Sequence, residues 1–266
     1  MNMKLFREIY EYRQMIFGLV KRDLRGRYKG SVLGFLWTFL NPLLQLLVYT
    51  FLFSTILRSD IDKYYLHLFV ALVPWMFFAS SVQGGAGCVL NQSGMITKIY
   101  FPREVLPIAH VTSQFVIMLY TFIVVVVVVL VAGVFPHPLA ILQLPIIMII
   151  EYCLALGLTM LISAVTVYFR DLEYIMGIIT MAWQFLCPIV YSIDLVQGIA
   201  TSHPWVMQVY MLNPMTPIVL AFRDILYYGR PADLSTLWLA AVLAAICLVA
   251  GFVTFGKLKR RFAEEL

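Results

Sequence analysis

KRDLRGRYKGSVLGFLWTFLNPLLQLLVYTFLF, running from Lys21 to Phe53, decides the fold. A dense basic run passes directly into an apolar run long enough to cross a bilayer. The first half favours anionic headgroups, the second hydrocarbon. Within the apolar half, Trp37, Asn41, Gln45, Tyr49 and Phe53 recur every four residues. Side chains four apart stack on one helical face. The first span therefore carries a polar and aromatic stripe that lipid would not favour. It reads as part of a wall along which something polar crosses a membrane.

Composition points the same way. Of 266 residues, 62% are hydrophobic and 12% charged, where soluble domains carry about 25% charged residues. Mean hydropathy is +0.90. These values exclude a soluble globular domain. Cys88, Cys153, Cys187 and Cys247 lie in or beside apolar runs without zinc or redox spacing, and read as small buried residues. No short apolar core precedes a small-residue cleavage site near the start, so no cleavable signal is expected.

Upstream, Met1 to Lys29 reads as one amphipathic helix. Leu5, Ile9, Tyr12, Ile16, Leu19, Leu24 and Tyr28 fall near helical spacing, with Lys4, Arg7, Arg13, Lys21, Arg22 and Arg25 between them. This is the pattern of a helix lying on a membrane surface. A solvated helix packed on another subunit would share it. Downstream, six spans are expected at about 32–57, 66–90, 108–133, 140–168, 174–193 and 235–256, each near the ~20 apolar residues a crossing needs. Pro42 is expected to bend the first. The valine run Val124–Val129 reads as lipid-facing.

Six spans put both termini on one side. That side then holds 15 of the 19 Lys and Arg, in the N-terminal helix, at Lys98, Arg103 and Arg170, and in the tail from Lys257 to Arg261. Arg58, Lys63, Arg223 and Arg230 are on the other. The positive-inside rule makes the richer side cytoplasmic. A five-span path would leave the tail outside.

The cytoplasmic loop NQSGMITKIYFPREVLP, Asn91–Pro107, suits a short helix begun at Ser93 and continuing through Tyr100, then a rigid turn at Phe101-Pro102. It fits docking to a soluble partner, or simple connection. The turn FRDLEY, Phe169–Tyr174, is the second such loop. On the other side, Ser192–Ser235 is apolar and divided by Pro204, Pro214, Pro217 and Pro231 into two expected short helices. Apolar pieces too short to span suggest helices that dip into the membrane and return, either as a gate or as an interfacial cap.

Glu151 is the one charged residue inside a span. Such a carboxyl is costly and reads as neutral, hydrogen-bonded or paired. A structural role fits better than a proton relay, because no span offers a basic partner. His67, His110, His137 and His203 show no ligand spacing, and no metal is expected. In the fifth span Thr180, Gln184, Cys187 and Tyr191 share a face beside Trp183, with Pro188 expected to bend the helix. The second span adds Trp75, Phe77 and Phe78. Rings mixed with amides and hydroxyls suit carbohydrate. Aromatic residues also gather at membrane interfaces for unrelated reasons.

Four segments together carry a resemblance. RDLRGRYKGSVLGFLWTFLNPLL (Arg22–Leu44), KIYFPREVLP (Lys98–Pro107), YFRDLEY (Tyr168–Tyr174) and LNPMTPIVLAFRDILYYG (Leu212–Gly229) resemble, in order, the permease subunits of type-2 ABC exporters of cell-surface polysaccharide. That family includes the O-antigen, capsule, rhamnan and teichoic-acid permeases. The resemblance implies an all-α integral membrane fold. An interfacial helix at 1–30 would precede a six-helix permease domain at 31–266, with re-entrant gate helices at about 196–230.

It further implies a homodimer working with two copies of a separate ATPase on undecaprenyl-linked polysaccharide. The coupling residues would be Ser93, Met95, Ile96, Lys98, Tyr100, Phe101, Arg103 and Glu104. The outer gate would comprise Trp205, Tyr210, Asn213, Pro214, Phe222, Arg223 and Tyr227. Arg25, Arg27 and Lys29 would meet the lipid headgroup, although retention by positive charge alone would explain them equally. The chain has no G-x-x-x-x-G-K-[ST] phosphate loop. ATP and magnesium are therefore expected on the partner, and no cofactor on this chain. A lipid or drug permease, a membrane glycosyltransferase or ligase, and a scaffold without transport are the alternatives. The glycosyltransferase would need paired acids or a metal-binding acidic set.

Overall fold

The computed structural model describes residues 3–27, 29–56, 61–96 and 98–265. The expectations for Tyr28 and Arg58, and for the side chains of Lys4 and Leu5, lie outside the described residues. Among the described residues there is no strand. The helices are α1 (Met3–Glu11), α2 (Arg13–Gly26), α3 (Trp37–Thr50), α4 (Tyr64–Ala86), α5 (Ser93–Ile96), α6 (Val105–Val131), α7 (Pro138–Thr166), α8 (Leu172–Phe185), α9 (Ile193–Ala200), α10 (Trp205–Leu212), α11 (Met215–Leu226), α12 (Leu234–Leu258) and α13 (Phe262–Glu265). Among the described residues, five helices are long and apolar enough to cross a membrane, or six if the bent α10–α11 pair counts as one span. The chain is an all-α, multi-span membrane protein.

Hydrogen bonds define its two ends. At the basic end Tyr12 Oη donates to the Tyr100 carbonyl at 3.5 Å, Arg22 Nη1 to Gln92 Oε1 at 3.3 Å, and Tyr168 Oη to the Leu258 carbonyl at 2.9 Å. At the far end Lys63 Nζ donates to the Ala132 carbonyl at 2.8 Å, and the His137 amide to the Gly229 carbonyl at 2.9 Å. The path crosses between these ends through α3, α4, α6, α7, α8 with the residues after it, and α12.

Helix α4 is the hub: 78% of its span is buried, against 11% for the span containing α3. A helix apolar on every side belongs in the interior. Lipid supplies little hydrophobic drive between helices, so close packing through small residues takes over. A Cβ on Gly251 of α12 would lie 2.0 Å from the Gly157 carbonyl oxygen of α7, and one on Gly85 of α4 would lie 2.4 Å from Thr159 Cγ2. Only hydrogen fits at either place. Gly30 and Gly34, at φ +85° and +48°, turn the chain from α2 into α3.

Several expectations are corrected. The N-terminal helix is broken at Tyr12 into α1 and α2, because Tyr12 leaves helical geometry (ψ 14°). The second span ends at Ala86, before residues 87–90. The loop helix α5 stops at Ile96, short of Tyr100. The valine run is two-sided: Val125 and Val129, one turn apart, are buried, while Val126 and Val127 are exposed. Pro42 lies inside the first span as read from the sequence, and α3 then widens into a π-helical turn at Phe51–Ile56.

The fifth span differs most. Helix α8 has 14 residues, about 21 Å, short of the ~30 Å hydrocarbon core. Pro188 ends the helix rather than bending it, since it lacks an N–H and disfavours helix in the residue before it. The remaining distance is covered by a non-helical stretch, and Tyr64 Oη reaches its Val190 carbonyl at 2.8 Å. The segment Ser192–Ser235 forms three helices, not two. Ser192 accepts from the Asp194 amide at 3.4 Å and starts α9, with Asp194 in its first turn. Helices α10 and α11 meet at 88°.

Candidate functional site

The break after α8 leaves carbonyls at membrane depth without helical partners. Such backbone is tolerated only where protein satisfies it. Side chains do so here. Asn213 Nδ2 donates to the Leu186 carbonyl at 3.1 Å, and Tyr191 Oη to the Phe185 carbonyl at 2.9 Å. Arg223 Nη2 donates to the Ile189 carbonyl at 2.7 Å and Nη1 to that of Tyr191 at 3.3 Å, while its Nε reaches the His67 carbonyl at 3.4 Å. Arg223 is only 2% exposed. Counted from the sequence as a positive residue of an outer loop, it is instead a buried clamp inside α11.

Asn213 makes the corner between α10 and α11. Its Oδ1 accepts from the Met215 amide at 3.2 Å, capping α11, and from Trp183 Nε1 at 2.9 Å. Pro214 follows it at the helix start. The corner of this bent pair therefore rests against the end of α8. Tyr191 and Tyr210 pair through their hydroxyls at 2.6 Å. Tyr227 Oη donates to the Asp62 carbonyl at 2.6 Å, and burial raises the Tyr227 hydroxyl above the usual phenol value. Phe222 packs on Phe122 at 5.9 Å, whereas Trp205 is exposed beside an apolar groove between α8 and α10.

The aromatic residues expected to line a pathway separate into groups. Trp75, Phe77 and Phe78 are all buried within the chain. Phe78 meets Trp183 edge-to-face at 5.2 Å, and Phe77 meets Phe115 at 5.5 Å. Thr180 is buried and donates back to the Met176 carbonyl. Tyr191 and Cys187 lie beyond the end of α8, so the four-residue face expected there reduces to Thr180 and Gln184. Gln184 Nε2 reaches Tyr49 Oη at 3.4 Å, and Phe53 stacks on Tyr64 at 5.8 Å. Trp37 donates to Ser31 Oγ at 3.1 Å. Asn41 and Gln45 are exposed and have no hydrogen-bond partner among the described residues.

Trp37 and Asn41 border a cavity of about 70 Å³ between α3, α4 and α6, with Arg27 at its mouth. Arg27 Nη2 donates to Gln114 Oε1 at 2.9 Å. Gln114 was not singled out in the sequence, although an amide in an apolar run was signal enough. Tyr64 gave no such signal. Arg25 and Lys29 line a different place, a groove of about 1300 Å³ between α2 and the start of α3, shared with Phe17, Phe35 and Tyr120.

In the loop before α6, Ile96, Phe101 and Glu104 are buried. Ser93 and Met95 are half-buried and Lys98 is exposed. Ile99 and Tyr100 project at 58% and 93% exposure. Arg103 donates to the Lys259 carbonyl, and Lys259 pairs with Glu104. Glu151 is fully buried, and neither carboxyl oxygen has a hydrogen-bond partner among the described residues. The expected bond or pair is absent from that set.

Among the described residues, five membrane-length helices, a bent α10–α11 pair at one end and a projecting loop at the other make an architecture suited to a membrane transport component. Residues 14–227 match the ABC-2 type transporter family, and the chain belongs to it. As an ABC-2 permease it serves in a transporter with an ATPase partner. The chain is 34% identical to the O-antigen export system permease protein RfbA of Myxococcus xanthus over 263 residues, 99% of each chain. Two Klebsiella pneumoniae proteins of the same name are 32% and 31% identical, over 93% of each chain.

Proposed function

We propose that this chain is the permease subunit of an ABC exporter that carries lipid-linked cell-surface polysaccharide across a bacterial plasma or inner membrane. The observation that carries the reading is the near full-length similarity to three O-antigen export permeases. The exposed amides of Asn41 and Gln45 support it. In hydrocarbon they would be unsatisfied; beside a hydroxylated polymer, or against a second copy of the chain, they find partners. The chain accordingly works as a homodimer, with the α3 stripe along the shared pathway.

Both termini are cytoplasmic in this reading, which follows from the 15-to-4 distribution of basic residues. Two ATPase subunits bind ATP and magnesium and perform the hydrolysis. They engage the exposed face of the loop that opens at Ser93, of which Ile99 and Tyr100 project furthest, while the buried Glu104 turns inward to Lys259. The substrate is a polymer on undecaprenyl phosphate or pyrophosphate. Arg25 and Lys29 meet its headgroup in the groove beside α2, and Arg27 sits at the start of the path past Trp37 and Asn41. The α10–α11 hairpin closes the outer mouth. Cells lacking the chain should hold lipid-linked polymer inside and lose it from the surface, with both restored by the intact gene. Normal surface polymer without the chain overturns the reading.

A further inference from the structure

The segment that joins α5 to α6 is fastened to the C-terminal end of α12. Glu104 is 1% exposed, and Lys259 is its ion-pair partner. Its second carboxyl oxygen has no partner among the described residues. A buried carboxylate held on one side only depends strongly on that pair. Arg103 donates to the Lys259 backbone and lies 5.7 Å from the centre of the Phe262 ring. Phe262 is fully buried and meets Phe255 of α12 edge-to-face at 5.5 Å. Three to five residues upstream of Arg103 and Glu104, Ile99 and Tyr100 are the most exposed apolar side chains of the loop.

A push on Ile99 and Tyr100 would thus reach α6 through the chain itself and α12 through this cluster. We infer that the Glu104–Lys259 pair, backed by Arg103 on Phe262, is the joint through which the loop moves α12. Glu104 and Lys259 are positioning residues; they touch neither nucleotide nor polymer. The inference rests on the reading of Ile99 and Tyr100 as the face that meets the ATPase. Helix α12 in turn packs on α7 at Gly157 and Gly251 without a gap, so its displacement moves the bundle rather than one helix.

The test uses the full chain with its own ATPase in membranes, with three readouts: ATPase co-purification, ATP hydrolysis and surface polymer. Tyr100→Asp examines the docking reading alone. It should release the ATPase, and retention would remove that reading. Glu104→Gln and Lys259→Met should keep the ATPase bound and hydrolysing within about twofold of wild type. Export should fall about tenfold, one decade in coupling efficiency. The exchanged pair Glu104→Lys with Lys259→Glu should recover most of the export. Wild-type export by both neutral variants overturns the joint. If those variants fail to reach the membrane, the exchanged pair decides. Recovered export supports the joint, and an assembled, hydrolysing complex without export overturns it.

Discussion

Trp183 Nε1 donates to Asn213 Oδ1 at 2.9 Å, tying the end of α8 to the corner of the α10–α11 hairpin. The same Asn213 side chain donates to the Leu186 carbonyl and caps α11 through the Met215 amide. One residue thus holds the end of α8 and the bent α10–α11 pair in register. Asn213→Ala should destabilise the protein by about 1–3 kcal/mol, because buried groups lose partners. Thermal unfolding in detergent checks this. Trp183→Phe loses one donor and should cost less.

Arg223 binds three carbonyls from two elements, and hydrogen bonds to a charged group contribute roughly 1.5–3 kcal/mol each. Arg223→Met should therefore lower stability more than Asn213→Ala does. Arg223→Lys should recover only part of the loss, since a single ammonium cannot reproduce the guanidinium fork. Comparing the melting temperatures of the two variants tests the clamp; equal melting of Lys and Met variants would argue against it.

Gly251 faces the Gly157 carbonyl with no room for a methyl group. Gly251→Ala should cost about 1–3 kcal/mol through overpacking, and Gly251→Leu should cost more. Gly256, in the same helix with open space beside its Cβ position, is the control: Gly256→Ala should leave the melting temperature unchanged or raise it.

The side-chain amides of Asn41 and Gln45 make no hydrogen bond among the described residues. Replacing both by Leu should leave the protein folded. Export should nonetheless drop, by about tenfold if each amide contributes near 0.7 kcal/mol to polymer passage. A folded double variant with normal export would assign these amides another purpose.

Much of the architecture was legible in the sequence because long apolar runs and basic loops have few physical meanings. The resemblance carried by Arg22–Leu44 and Leu212–Gly229 pointed to the family. Other features were hidden. Pro188 was visible, but whether it bends or ends a helix depends on donors for the freed carbonyls. Those donors, Tyr64, Asn213 and Arg223, come from distant parts of the chain. The valine run concealed a buried face because its residues are chemically alike. Trp75, Phe77 and Phe78 resembled pathway residues, yet rings that suit sugar also suit each other. Their packing, Phe78 on Trp183 and Phe77 on Phe115, depends on helices distant in the chain and could not be read from the sequence.

The passage of glycan along α3 can be measured by placing a photo-cross-linking residue at Gln45 and, as control, at Ile123, an exposed apolar position on α6. Illumination during ATP-driven export should attach polymer at Gln45 and lipid alone at Ile123. Lipid alone at both positions, in a complex that exports polymer, would contradict the account.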